Sequence, residues 1–120
     1  MSLYLFQAAY TPESWKHQIE TQQNAEERLT PLVESLGGTL EHVFYAFGDY
    51  DIILICEMPS DDAAAAFSLA AAAGGSVKAL KTTPLLSVNE GISAMKKASQ
   101  AGKSYTAPIP QGTVRETVAR

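Results

Sequence analysis

His42, Asp51 and Glu57 are the residues of this chain whose types and spacing could do chemistry together. A histidine beside a carboxylate can act as a general base, its proton affinity set by the neighbouring charge. One imidazole with two carboxylates could also hold a divalent cation. The competing reading is solvation alone: His42 and Glu57 pair inside an interface, and Asp51 accepts from amides at a hairpin end. We favour the second reading, because buried polar groups are normally paired for solvation alone; no His-rich spacing supports a metal, and no metal and no cofactor are expected. Tyr45 and Tyr50, with Tyr4, Tyr10 and Trp15, could line a pocket for an aromatic ligand, although large aromatics more often fill a core. His42, Asp51, Glu57, Tyr45 and Tyr50 are therefore the candidate ligand-binding residues.

One hairpin decides which of these side chains share a face. Leu40 to Phe47 and Tyr50 to Met58 both read as strands, joined at Gly48-Asp49-Tyr50-Asp51. Glycine at the first central position suits a type II′ turn. That turn pairs Phe47 with Tyr50, Ala46 with Asp51, Phe44 with Ile53, His42 with Ile55 and Leu40 with Glu57. A four-residue loop gives the same pairing. Strand alternation then sorts the side chains. Val43, Tyr45, Phe47, Tyr50, Ile52, Leu54, Cys56 and Met58 form the more apolar set and should meet the helices. Leu40, His42, Phe44, Ala46, Asp51, Ile53, Ile55 and Glu57 form the opposite face.

The remaining elements follow from caps and periodicity. Ser2 to Tyr10 reads as the first strand. Thr11-Pro12-Glu13 opens a helix, which is expected in two pieces, kinked near Gln22 to Asn24, with Pro31 adding a bend and Gly37-Gly38 ending it. Ser60 caps an alanine-rich helix from Asp61 to Ala73. Val77 to Thr83 is a fourth strand, with Pro84 marking an edge or an end. Ser87 and Glu90 form a capping box for a last helix. The order is β-α-β-β-α-β, which is the ferredoxin-like pattern: a four-stranded antiparallel sheet with helices on one face. We take residues 1–101 as one domain with its extra C-terminal helix, and 102–120 as an extended tail. A bare apolar sheet face calls for a cover, so a homodimer or higher homo-oligomer through that face is expected.

Composition narrows the partners. The chain has 120 residues and a net charge of −4. An acidic domain lacks the basic patch that neutralises nucleic-acid phosphates or anionic lipid. Its one cysteine, Cys56, lies in an apolar strand and reads as a buried thiol. No signal-peptide pattern and no run near the ~20 apolar residues of a membrane helix occurs, so a cytoplasmic location is expected.

Gly48-Asp49-Tyr50-Asp51, the following Glu57-Met58-Pro59, the alanine-rich Asp61 to Ala73 and the preceding Gly37-Gly38 together resemble the GYD-domain family, over about Tyr4 to Val88. The resemblance implies the dimeric α+β barrel arrangement, in which two ferredoxin-like sheets meet face to face; no activity is established for the family. Where the family commonly reads Gly-Asn-Val-Arg-Thr-Glu-Thr, this chain has Gly75-Ser76-Val77-Lys78-Ala79-Leu80-Lys81, without the Thr-Glu pair. Three functions follow as expectations. The first is a homodimeric small-molecule-binding module. The second is a cofactor-independent, oxygenase- or isomerase-like enzyme acting on a small aromatic or lactone. The third is a structural assembly subunit.

Overall fold

Strand alternation and four side-chain caps account for most of the architecture. The structure, a computed structural model, describes residues 1–110. The elements are β1 (Ser2–Tyr10), α1 (Pro12–Thr21), α2 (Ala25–Ser35), β2 (Thr39–Tyr45), β3 (Ile52–Met58), α3 (Asp61–Ala73), β4 (Val77–Leu85) and α4 (Val88–Ala101), followed by a 3-10 turn at Gly102–Ser104. The four strands form one antiparallel sheet in the order β2-β3-β1-β4. This is an α+β fold consistent with the ferredoxin-like expectation. Of the expected tail, residues 111–120 lie outside the described residues.

Each helix begins where the sequence places a cap. The side chains of Thr11, Asn24, Ser60 and Ser87 accept from the backbone N–H three residues on, which satisfies one of the donors a helix start leaves orphaned. Gln22, with φ of 50°, ends α1 and separates it from α2, as the two-piece reading requires. Pro31 lies inside α2.

The core lies on one face of the sheet. Tyr4, Phe6, Ala8 and Tyr10 of β1 alternate into it, as do Ile52, Leu54, Cys56 and Met58 of β3. Val33 of α2 and Ala64 and Phe67 of α3 close over them. Full burial of each large apolar side chain contributes about 1.5–3 kcal/mol. Burial pushes the Cys56 thiol up to about 11, so it stays neutral at ordinary pH, as the sequence implied. Gly38 admits a close approach of β3 to the start of β2. A Cβ there would lie 2.5 Å from Met58 Sδ and 2.6 Å from the Glu57 carbonyl oxygen.

The hairpin register is the expected one near the turn and departs from it further down. Phe44 pairs with Ile53 and His42 with Ile55, but Leu40 pairs with Cys56 and Thr39 with Glu57. A bulge at Glu41 causes the shift. Leu40, assigned above to the opposite face, therefore packs against the core. Phe47 and Tyr50 do not extend the ladder either. The strands end at Tyr45 and Ile52, and Phe47 is fully exposed in the loop.

By its internal contacts the chain divides into two compact units, Met1–Leu86 and the segment from Ser87 onward. The second begins with a capping box: Ser87 N–H donates to Glu90 Oε1 at 2.8 Å and Glu90 N–H to Ser87 Oγ at 3.0 Å. The Ser87 amide holds the Glu90 carboxyl below its usual range. Val88, Ile92 and Met95 are exposed along α4.

Candidate functional site

The residues singled out in the sequence are not brought together. His42 and Glu57 remain on the open sheet face. Glu57 lies opposite Thr39, three residues along β2 from His42, because the bulge intervenes. The His42 ring instead stacks on Phe44, with centroids 6.1 Å apart and planes within 14°. Asp51 leaves that face altogether, which corrects the parity argument. It sits just before β3, where regular alternation has not begun. Its Oδ2 accepts from the Tyr10 N–H at 2.8 Å and from Trp15 Nε1 at 3.2 Å, on the helix side. Its own N–H donates to the Ala8 carbonyl at 2.8 Å. Tyr45 joins the same side, its ring 6.3 Å from Trp15, and Tyr50 is half-buried in the loop. Asp51 is thus a tie between β1, α1 and the hairpin. Among the described residues no group of three or more His, Cys, Asp or Glu could hold a metal ion.

A different set of residues builds a cleft. Between α2, α3 and the sheet lies a chamber of about 160 Å³, walled by Phe6, Leu29, Leu32, Leu54, Phe67 and Leu80 among others. Small residues on α3 and at its end leave this space: Ala70 and Ala71 of the helix, and Gly74 just after it, face it where larger residues would fill it. At one end stand Tyr10 and Arg28. Beyond them is a wider hollow of about 310 Å³ with a polar lining that includes Glu13, Ser14, His17, Gln18 and Gln23. Tyr10, Arg28, Gly74 and Ser76 line both spaces, so the hollow is the mouth of the chamber.

Local backbone chemistry shapes this mouth. Gly75, with φ of 78°, turns the chain out of α3, a conformation glycine adopts without steric cost. The turn presents the Ser76 carbonyl to the Thr11 N–H at 3.0 Å, which ties the start of α1 to the start of β4. Arg28 Nη1 donates to Gln23 Oε1 at 2.7 Å and Nη2 to the Tyr10 hydroxyl at 2.9 Å. The guanidinium lies 5.9 Å from the Tyr10 ring centroid. Burial raises the Tyr10 phenol above its ordinary range, against the opposing pull of Arg28, so it remains protonated at neutral pH. Gln18, only 7% exposed, donates to Ser14 Oγ at 3.1 Å, and its Oε1 is buried without a partner among the described residues.

Neither Arg28 nor His17 is among the candidates the sequence singles out; His17 is exposed. Arg28 carries a legible signal: its helix neighbours three and four residues away are Asn24, Ala25, Pro31 and Leu32. None is an acid, so this arginine has no intrahelical ion pair. The chamber carries a weaker one, because an alanine run in a helix tells where space is left only once its facing partner is known.

The sequence model of the GYD domain matches residues 4–95. The chain belongs to the GYD-domain family. No significant match occurs among curated proteins or among solved structures. The family match takes in every residue of the chamber and its mouth, so the cleft lies within the GYD domain. Among the described residues no helix is long and apolar enough to cross a membrane.

Proposed function

We propose that this GYD-domain protein is a cytoplasmic binding module for a small molecule whose apolar part enters the chamber between helices and sheet. The chamber is the observation that carries the reading. An apolar cavity of about 150 Å³ stays dry and takes a benzene-sized group, and the present one is of that size. Its lining favours binding over catalysis. Among the described residues neither imidazole nor carboxylate reaches the chamber wall; Glu13 and His17 stand at the outer mouth. The test is titration of benzyl alcohol, followed by the protein NMR spectrum and by thermal shift. Wild type should bind saturably, with resonances of Leu29, Leu32 and Leu80 moving. Ala71→Phe, which fills the space, should remain folded by circular dichroism and lose the binding at least tenfold. Absence of saturable binding in wild type, or equal binding in the filled variant, would remove the proposal.

We further propose that two copies associate through the open sheet face, as in a dimeric α+β barrel. Support comes from the rows across that face. Phe44, Ile53 and Gln7 form one; His42, Ile55 and Leu5 form the next; Glu57 and Leu3 lie beyond. Phe44 is 56% and Leu3 40% exposed, and His42 and Glu57 would lie in such an interface. Ile55→Asp should shift the mass measured by light scattering from dimer to monomer, because an unpaired charge at the centre of an apolar patch is costly to desolvate. A wild-type protein that is already monomeric would end this part of the proposal.

A further inference from the structure

The reading of the chamber as a ligand site leaves the polar group at its mouth unassigned. Resting on that reading, we infer that the bound molecule is a small apolar monocarboxylate, and that Arg28 and Tyr10 receive its carboxylate where the chamber opens.

Two donors converge there without a charged acceptor among the described residues. Both hydrogen bonds of Arg28 go to neutral groups, the Gln23 amide oxygen and the Tyr10 hydroxyl. A guanidinium has five N–H donors in a planar fork that fits the two oxygens of a carboxylate, and most of them remain to be used. Tyr10 is only 4% exposed. Its hydroxyl oxygen is occupied as an acceptor from Arg28. Its proton has no acceptor among the described residues, although a buried hydroxyl is normally satisfied as a donor too. One anionic oxygen at this point would accept from both side chains. Because Tyr10 keeps its proton at neutral pH, it serves as a donor and not as a second anion.

Charge and size set the class. Glu13 stands on the rim of the mouth and disfavours a dianion such as a phosphate monoester. The chamber accepts one ring. Arg28 and Tyr10 belong to chamber and mouth alike, so a ring in the chamber places a directly attached carboxylate beside them.

Benzoate and benzyl alcohol share the ring and differ in the charged group, so together they separate the two readings. Calorimetric titration of the full chain at neutral pH should give benzoate at least about tenfold tighter than benzyl alcohol, the size of effect expected for hydrogen bonds to a charged group. Arg28→Gln should abolish that preference, leaving benzoate no tighter than benzyl alcohol. Tyr10→Phe should reduce it by a few fold, and Arg28→Lys, which keeps charge without the fork, should retain part of it. If Arg28→Gln lowers the melting temperature too far for titration, the Lys and Phe variants carry the test. Benzoate and benzyl alcohol binding equally to wild type would overturn this inference and leave the chamber reading intact. Failure of both to bind would overturn both. A preference that survives Arg28→Gln would overturn the assignment to Arg28.

Discussion

Phe67→Ala is expected to lower folding stability by about 3–5 kcal/mol, the range for deleting a fully buried phenylalanine ring. Phe67 is 2% exposed, and its ring meets that of Phe6 with centroids 4.6 Å apart and planes at 53°. It is the main bulky contribution of α3 to the core, because the rest of that helix is largely alanine. Alanine neighbours cannot shift to fill the space, and the hole would merge with the chamber that Phe67 already walls. Against a typical total of 5–15 kcal/mol the loss is large. It corresponds to a fall of roughly 10–20 °C in melting temperature for a domain of this size. Urea titration and a thermal melt measure it, with Phe67→Leu as a milder control. A loss below about 1 kcal/mol would mean that α3 is not anchored through this ring.

Asp51→Ala is the second large effect, expected at about 2–4 kcal/mol. The carboxylate accepts from Tyr10 N–H and Trp15 Nε1–H, and its removal leaves two donors in a mostly buried place without partners. Each such donor costs about 1–3 kcal/mol. Asp51→Asn keeps an acceptor oxygen and should lose less than half as much. Trp15 is the only tryptophan in the chain, so its fluorescence reports the tie directly. The Ala variant should show a red-shifted emission as α1 loosens, whereas the Asn variant should not. An Ala variant as stable as wild type with unchanged emission would return Asp51 to the role of a simple hairpin-end acid.

The same residue shows where sequence reasoning stopped. Period-two alternation placed His42 and Phe44 with Ile53 and Ile55 correctly, because these residues lie inside paired strands and the pleat leaves each side chain one direction. Asp51 precedes the first regular pair of β3, where no pleat constrains it, and a backbone amide of β1 and an indole of α1 decide its direction instead. Those partners are 41 and 36 residues away in sequence, beyond the reach of any local pattern. Helix caps were legible because each is a contact between residues three apart. The chamber was not, because it is the space between α2, α3 and β1, and no one segment encodes it. Arg28 lay between these extremes: its lack of an acidic helix neighbour can be read locally, but its meeting with Tyr10 depends on how α2 packs on the sheet.

The bulge in β2 makes Glu41 important for lying outside the ladder more than for its chemistry. Leu40 to Tyr45 of β2 runs against Ile52 to Cys56 of β3, six residues facing five. The surplus position is an exposed acid on an edge strand, where side chains of many kinds are tolerated. What matters is that the surplus residue stays out of the pairing. Taken into regular pairing, Glu41 would oppose Cys56 and Leu40 would oppose Glu57, so Leu40 would face outward and Thr39 would bring a hydroxyl into the interior that an isobutyl group now occupies.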